Sequence, residues 1–371
     1  MFLTYILLIL ICICFIHNEK ILTFELKDEN FKYSVYPLFS NQGNITFTAY
    51  INTILPFSVF NDYHDLVSLL KANWIKTKRI NLIEAFEVSH YKTSFEIQNI
   101  PIIDYSLYLS TDSIQYYPDQ GLGLAYKFED NSFSIVHNLY KRNIIDHLTF
   151  TIESHRGYKN ASIHFGYTDI DFITKFKGVL KVNDDIKYWG SMLNGITFNN
   201  TYYEMNSYSI INTCINELFY SDEVFDFVYN VILSDYKKDG ICYKNTTNIG
   251  LSYLTCKQKI REYNNELLFL FGTTQIKLKV SDLFKPSYWG LVNSNPYYPY
   301  RNKTVIGIHL LKMMNYTLFD YENKEIVFYS DNIEMINVIK RSSQSLRVIT
   351  LLCSIICIIN ITVLIIIKKI I

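Results

Sequence analysis

Apolar residues along most of the chain fall in short runs that alternate with polar ones or are rich in branched and aromatic side chains, the signature of strands. Segments 45–51, 148–152, 276–280 and 325–329 read this way. Helical spacing is predicted over fewer pieces, at 65–74, 134–141 and 217–233. Strands dominate and do not alternate with regular helices, so an all-β class is expected and a doubly wound parallel sheet is disfavoured. Two apolar stretches bracket this pattern. Residues 2–16 have the length of a signal-peptide core, although no basic residue precedes them. An uncleaved anchor or a buried strand would read similarly; the expectation is a signal peptide over 1–17. Residues 348–367 form an uncharged run of about 20 residues, which is bilayer length. Arg347 precedes it and Lys368 and Lys369 follow. This predicts one C-terminal transmembrane helix in a type I topology, with a stalk at 333–347, a cytosolic tail at 368–371 and the bulk of the chain lumenal or extracellular.

Composition sharpens the picture. With 31 Tyr and 25 Phe the chain favours strands. The 35 Lys and Arg balance 35 Asp and Glu, which argues against nucleic-acid binding. Apolar residues at 49 % and charged residues at 19 % argue against long disorder. The length allows about two domains. Glycine is scarce: average usage of about 7 % gives roughly 26 in a chain this long, and there are 13. A β-rich protein spends glycine on tight turns, so the question becomes which ones are missing.

Cys12 and Cys14 fall in the N-terminal apolar run and Cys353 and Cys357 in the C-terminal one, leaving Cys214, Cys242 and Cys256 between them. An odd count allows one internal disulfide and one thiol, and Cys242 with Cys256 closes the shorter loop. Sequons at Asn44, Asn160, Asn199, Asn245, Asn302 and Asn315 fit secretory exposure. Lys368 and Lys369, three and four from the C-terminus, resemble the dilysine retrieval signal read by coatomer; two lysines that merely stop a helix at the membrane surface would look the same. A secretory-pathway membrane is the expected location, with the endoplasmic reticulum favoured. No pair or quartet of cysteines has zinc spacing, and no metal or cofactor is implied.

Val59-Phe60-Asn61-Asp62-Tyr63-His64 is weakly echoed by Glu204-Met205-Asn206-Ser207-Tyr208-Ser209, one in each half. Around these lie further motifs. Asp119-Gln120-Gly121-Leu122-Gly123-Leu124-Ala125-Tyr126 resembles the Asp-Gly-Ile-Leu-Gly-Leu-Ala-Tyr stretch of pepsin-like aspartic peptidases. Residues 134–140, 148–152 and 162–166 with Asp169 fall where that family has its first-lobe helix and the strands after it. Tyr188-Trp189 resembles its Tyr-Trp strand at the start of the second lobe. Val305-Ile306-Gly307, then Tyr316-Thr317-Leu318-Phe319-Asp320-Tyr321-Glu322-Asn323, resembles its Ile-Leu-Gly and Tyr-Thr-Val-Phe-Asp-x-x-Asn run. The resemblance spans about residues 45 to 330. It implies two β lobes, at 24–172 and 173–332, with a cleft between them and a shared sheet beneath.

In that family the chemistry rests on two aspartates, one per lobe, each in Asp-Thr-Gly, whose carboxylates share one proton. The alignment through Thr53 and Pro56 to Phe60 puts the catalytic positions on Asn61 and Asn206, with Asp62 reachable by a one-residue slip. An amide cannot ionise or act as a general base, so a pseudoprotease with a peptide- or protein-binding role is expected. The alternatives are an active endopeptidase using Asp62 and an unrelated β-rich membrane glycoprotein. Tyr63 and Tyr208 stand at the expected loop glycines, and residues 86–95, with Tyr91 as a flap remnant, carry no glycine. A peptide could bind the cleft by strand addition. His64 reads as a surface or packing residue and Cys214 as a buried structural thiol.

Overall fold

A computed structural model describes residues 20–29, 32–35, 37–39, 45–46, 49–56, 58–61, 73–81, 85–110, 121–127, 130–154, 160–166, 178–184, 187–214, 218–246, 252–257, 260, 265–272, 274–284, 290–293, 302–330 and 335–336. These residues form two large sheets. Strands Glu266–Phe271 and Thr274–Lys279 show why: their buried residues alternate with less buried ones, so one face packs inward along the whole hairpin. Helix Ile135–Lys141 is set by Ser134, whose Oγ accepts from the His137 amide at 3.3 Å. Its Ile135, Val136 and Leu139 face the core.

Each half contains the same arrangement of strands. In the first sheet, Ala49–Asn52 runs parallel to Gly121–Gly123, with Asn52 opposite Gly123. Gly121–Gly123 is antiparallel to Ser58–Asn61, with Gly121 opposite Val59, and Ser58–Asn61 is parallel to Ile100–Ser110. In the second sheet, Thr201–Asn212 runs parallel to Lys303–Gly307, with Asn212 opposite Gly307. Lys303–Gly307 is antiparallel to Phe219–Tyr220, with Val305 opposite Phe219, and Phe219–Tyr220 is parallel to Gly290–Asn293. The repeat equates Asn52 with Asn212.

The halves are also joined through the main chain. Gly178–Lys181, Glu325–Tyr329, Tyr316–Asp320, Thr149–Ser154, Asn160–Phe165 and Leu22–Glu29 lie side by side in the first sheet. Late strands therefore hydrogen-bond to early ones, with Phe319 opposite Phe150. Those two rings stack at 4.5 Å. Trp189, fully buried, packs on Phe319 at 5.2 Å and Tyr321 at 4.8 Å. Its Nε1 donates to the Leu124 carbonyl at 2.7 Å, and the Tyr321 hydroxyl donates to the Ala125 carbonyl at 3.1 Å. The structure thus has the all-β, bilobal, two-sheet architecture.

Several expectations change. Asn73 and Trp74, expected to end a helix, open strand Asn73–Asn81, because that stretch pairs with Ala85–Ile97; residues 65–72 lie outside the described ones. The helix expected at 217–233 is preceded by strand Phe219–Tyr220, then runs as Asp222–Phe227, a π turn at Val228–Ile232 and Ser234–Lys238. It stops at Gly240, whose φ of 62° a side chain would resist. Met335–Ile336, placed in the stalk by the sequence, instead pairs with Thr274–Lys279.

The membrane anchor is the main correction. Among the described residues no helix is long and apolar enough to cross a membrane, and 348–367, Lys368 and Lys369 lie outside those residues, as does the signal segment 1–17. The described fold therefore carries no transmembrane helix. The type I topology, the membrane as a partner, the coatomer contact and the endoplasmic-reticulum membrane location that followed from it are not retained.

Trp189 gives the fold a direct test. Trp189→Ala removes a fully buried indole from the seam between the halves and should cost about 3–5 kcal/mol in a denaturant unfolding curve. Trp189→Phe should cost less, since it keeps the ring packing and loses the Nε1 bond.

Candidate functional site

The equivalent strands Ala49–Asn52 and Thr201–Asn212 end in the same tripeptide, Ile-Asn-Thr, at 51–53 and 211–213. The two threonines clasp each other. Thr53 Oγ1 donates to the Ile211 carbonyl at 2.8 Å and accepts from the Thr213 amide at 3.2 Å. Thr213 Oγ1 donates to the Ile51 carbonyl and accepts from the Thr53 amide at 3.2 Å. Both threonines are completely buried. Each hydroxyl is used as donor and acceptor, and each bond crosses from one half to the other.

The asparagines stand one residue before the clasp on either side. Asn52 Oδ1 accepts from the Ile54 amide at 3.0 Å and the Leu55 amide at 3.2 Å. Asn212 Oδ1 accepts from the Cys214 amide at 2.9 Å. Each is an Asx turn in which a side-chain oxygen rounds the chain off the end of its strand. Both residues are buried. The Cys214 thiol donates to the Ile51 carbonyl at 3.2 Å. Asn52-Thr53-Ile54 and Asn212-Thr213-Cys214 therefore take equivalent places in the two halves, one on each side of the clasp.

Neighbouring groups brace this centre. Ser58 Oγ accepts from the Gly123 amide at 3.0 Å and pairs with the Tyr105 hydroxyl at 2.7 Å. Tyr105 in turn donates to the Phe133 carbonyl at 2.6 Å, and burial pushes its hydroxyl pKa well up. Tyr126 donates to Asp184 at 2.7 Å across the halves. Burial, then this bond, raises the Tyr126 pKa, while Lys324 first and Tyr126 second hold Asp184 below the usual carboxylate range.

The residues singled out from the sequence sit elsewhere. Asn61 ends strand Ser58–Asn61, opposite Ser110, where the repeat matches it to the Phe219–Tyr220 region and not to residue 206. Asn206 is exposed in the middle of Thr201–Asn212, its amide donating to Glu223 at 3.4 Å. Asp62, Tyr63 and His64 lie outside the described residues. Tyr208 is not in a catalytic loop: it lies over Gly190, where a Cβ would come within 3.0 Å of its ring and 2.1 Å of the Ser209 carbonyl oxygen. Tyr91 is no flap tip, being buried within strand Ala85–Ile97 between Trp74 and Leu107. Residues 86–95 all lie within strand Ala85–Ile97, which pairs with Asn73–Asn81.

Cys242 and Cys256 are disulfide-bonded across adjacent strands, and Cys214 is a buried thiol outside that disulfide. Asn199 and Asn302 are exposed at turns with φ of 48° and 59°. Asn160 opens strand Asn160–Phe165. Asn245 donates to Thr255 at 3.3 Å, and Asn315 is half-buried with its amide on the Tyr329 carbonyl; Asn44 lies outside the described residues. The missed signal was the repeated Ile-Asn-Thr, which the looser Asn-x-Tyr echo obscured.

Two outcomes follow for this centre. Thr53→Val keeps the shape but strands the Thr213 amide and the Ile211 carbonyl, and should cost about 2–4 kcal/mol in equilibrium unfolding. Restoring both carboxylates (Asn52→Asp with Asn212→Asp) should make stability pH-dependent. Two buried like charges cannot both ionise, so one folded-state pKa rises above its unfolded value near 3.9. Stability is then full below that pH and lost as pH rises through the folded pKa, by about 1.4 kcal/mol for each tenfold weakening of the acid on folding. Thermal melts from pH 3 to pH 7 on both proteins should show a falling difference only in the variant.

Comparison with known proteins agrees with this geometry. A family model described as eukaryotic aspartyl protease matches residues 90–330, which include the second Ile-Asn-Thr and begin after the first. The crystal structure of an aspartic proteinase from Irpex lacteus superposes with a TM-score of 0.62 at 14 % identity, covering 84 % of this chain and 98 % of that one. At that identity the likeness speaks for the fold alone. No curated protein sequence matches the chain. The family match spans well over half of the 371 residues, and the chain belongs to the eukaryotic aspartyl protease family.

Proposed function

We propose that this chain is a non-hydrolytic member of its family. The observation that carries the reading is the pair Asn52 and Asn212, standing before the two clasped threonines with their side-chain oxygens bonded to their own loops. Peptide hydrolysis by this family needs one ionised carboxylate to take a proton from water and one protonated carboxyl to meet the forming oxyanion. Asparagine has no proton to share and no basic site near neutral pH. Ile54 and Cys214, both buried, fill the places where glycine would leave room beside the carboxylates. Asn52 and Asn212 thus replace Asn61 and Asn206 in this reading, and the reason for inactivity is unchanged: an amide at each catalytic position.

The test is proteolysis. The purified chain, incubated with an unfolded protein substrate between pH 3 and pH 6, should release no peptides above a buffer control. Asp62→Ala should behave identically. Pepstatin-sensitive cleavage that disappears in Asp62→Ala would overturn the reading and assign the chemistry to that carboxylate.

A further inference from the structure

Strand alternation places a second group of reactive side chains on the sheet that joins the halves. In Leu22–Glu29, Asn160–Phe165 and Thr149–Ser154, the side chains of Phe24, Ile163, Phe165, Phe150 and Ile152 are buried in the core. The residues between them share the opposite face. The register sets Thr23 and Thr151 on either side of His164, with Glu153 on the adjacent diagonal. Thr23 Oγ1 lies 2.9 Å from His164 Nδ1, and His164 Nε2 lies 2.9 Å from Glu153 Oε2. Thr23 is exposed, whereas the His164 and Glu153 side chains are only 15 % and 19 % exposed.

The proton positions follow from the chemistry of the groups. A carboxylate only accepts, so Nε2 carries the hydrogen that faces Glu153. Tyr316 is a second donor to that carboxylate: burial, then its bond to Glu153, pushes the Tyr316 hydroxyl up to about 12. With Nε2 protonated, Nδ1 of the neutral ring holds a lone pair and receives the Thr23 hydroxyl proton. An exposed hydroxyl thus donates to a base whose far side is fixed by an acid, the order of groups that activates a nucleophile.

We infer that Thr23, His164 and Glu153 form an acyl-transfer site in which Thr23 takes the acyl group of an activated ester or thioester. Thr23 Oγ1 bonds to the acyl carbon as the bond from that carbon to the leaving oxygen or sulfur breaks. The Oγ1 proton passes to His164 Nδ1 and then to the leaving anion. Glu153 positions the ring and offsets the charge of the imidazolium. Leaving groups of this class depart as stable anions, without the further assistance that a peptide amide requires. The site shares no residue with the clasp, so it stands apart from the non-hydrolytic reading.

The full chain incubated with p-nitrophenyl acetate, and quenched in acid at successive times, tests this. Peptide mapping by mass spectrometry should find an acetyl ester on Thr23, formed at least about 100-fold faster than on Thr201, which is also exposed but stands opposite Phe198. Thr23→Ser should keep the label and Thr23→Val should lose it. Glu153→Gln should lose it too: its side-chain NH2 can donate to Nε2, which moves the ring hydrogen to Nδ1 and removes the base. Acetyl groups on lysines alone, equal rates at Thr23 and Thr201, or undiminished labelling in Glu153→Gln would each overturn the inference. The two threonines are compared on the unaltered protein, so a variant that fails to fold leaves the test decisive.

Discussion

Thr53 and Thr213 each satisfy their hydroxyl and their amide on the other's loop, in a place from which water is excluded. Four polar groups and two strand-end carbonyls depend on that arrangement. Separating the halves would leave them buried and unpaired or would require the loops to unfold into solvent. The rest of the molecule is arranged so that the loops meet. Matching sets of strands deliver Asn52 and Asn212 opposite Gly123 and Gly307. Beneath them, Trp189, Phe150, Phe319 and Tyr321 fill the seam, and strands from both ends of the chain close one sheet.

The clasp itself calls for no charged side chain beside it. The clasp uses threonine side chains and main chain, and the Asx turns use one side-chain oxygen of each asparagine. Asparagine supplies that oxygen as well as aspartate does and carries no charge, so the frame does not need the acid. Glycine scarcity has the same logic. Gly121 stays because a Cβ there would come within 3.2 Å of the Leu55 side chain in the first loop. The loop positions after Thr53 and Thr213 hold Ile54 and Cys214, both buried.

Much of the fold was readable along the chain. Strand Glu325–Tyr329 follows from a run of branched and aromatic residues, and helix Ile135–Lys141 from helical spacing of its apolar positions. The reading failed where pairing overrode local pattern. Trp74 joins a strand because its neighbours find a partner in Ala85–Ile97. Phe219–Tyr220, only two residues long, exists because Val305 and Val292 flank Phe219.

For the site, the sequence by itself determined that neither half offers an intact Asp-Thr-Gly, which is a matter of residue identity and needs no coordinates. It also contained the repeated Ile-Asn-Thr, since a twofold constraint on two loops leaves a twofold trace. What it could not decide was which of several Asn-containing segments meets its counterpart. Asn61 and Asn206 lie in an echo of similar letters, but a shared local pattern says nothing of distance in space. Only the register of the strands, Asn52 beside Gly123 and Asn212 beside Gly307, and the bonds between Thr53 and Thr213 decided it. Those contacts join residues 160 apart in the chain, and no local preference encodes them.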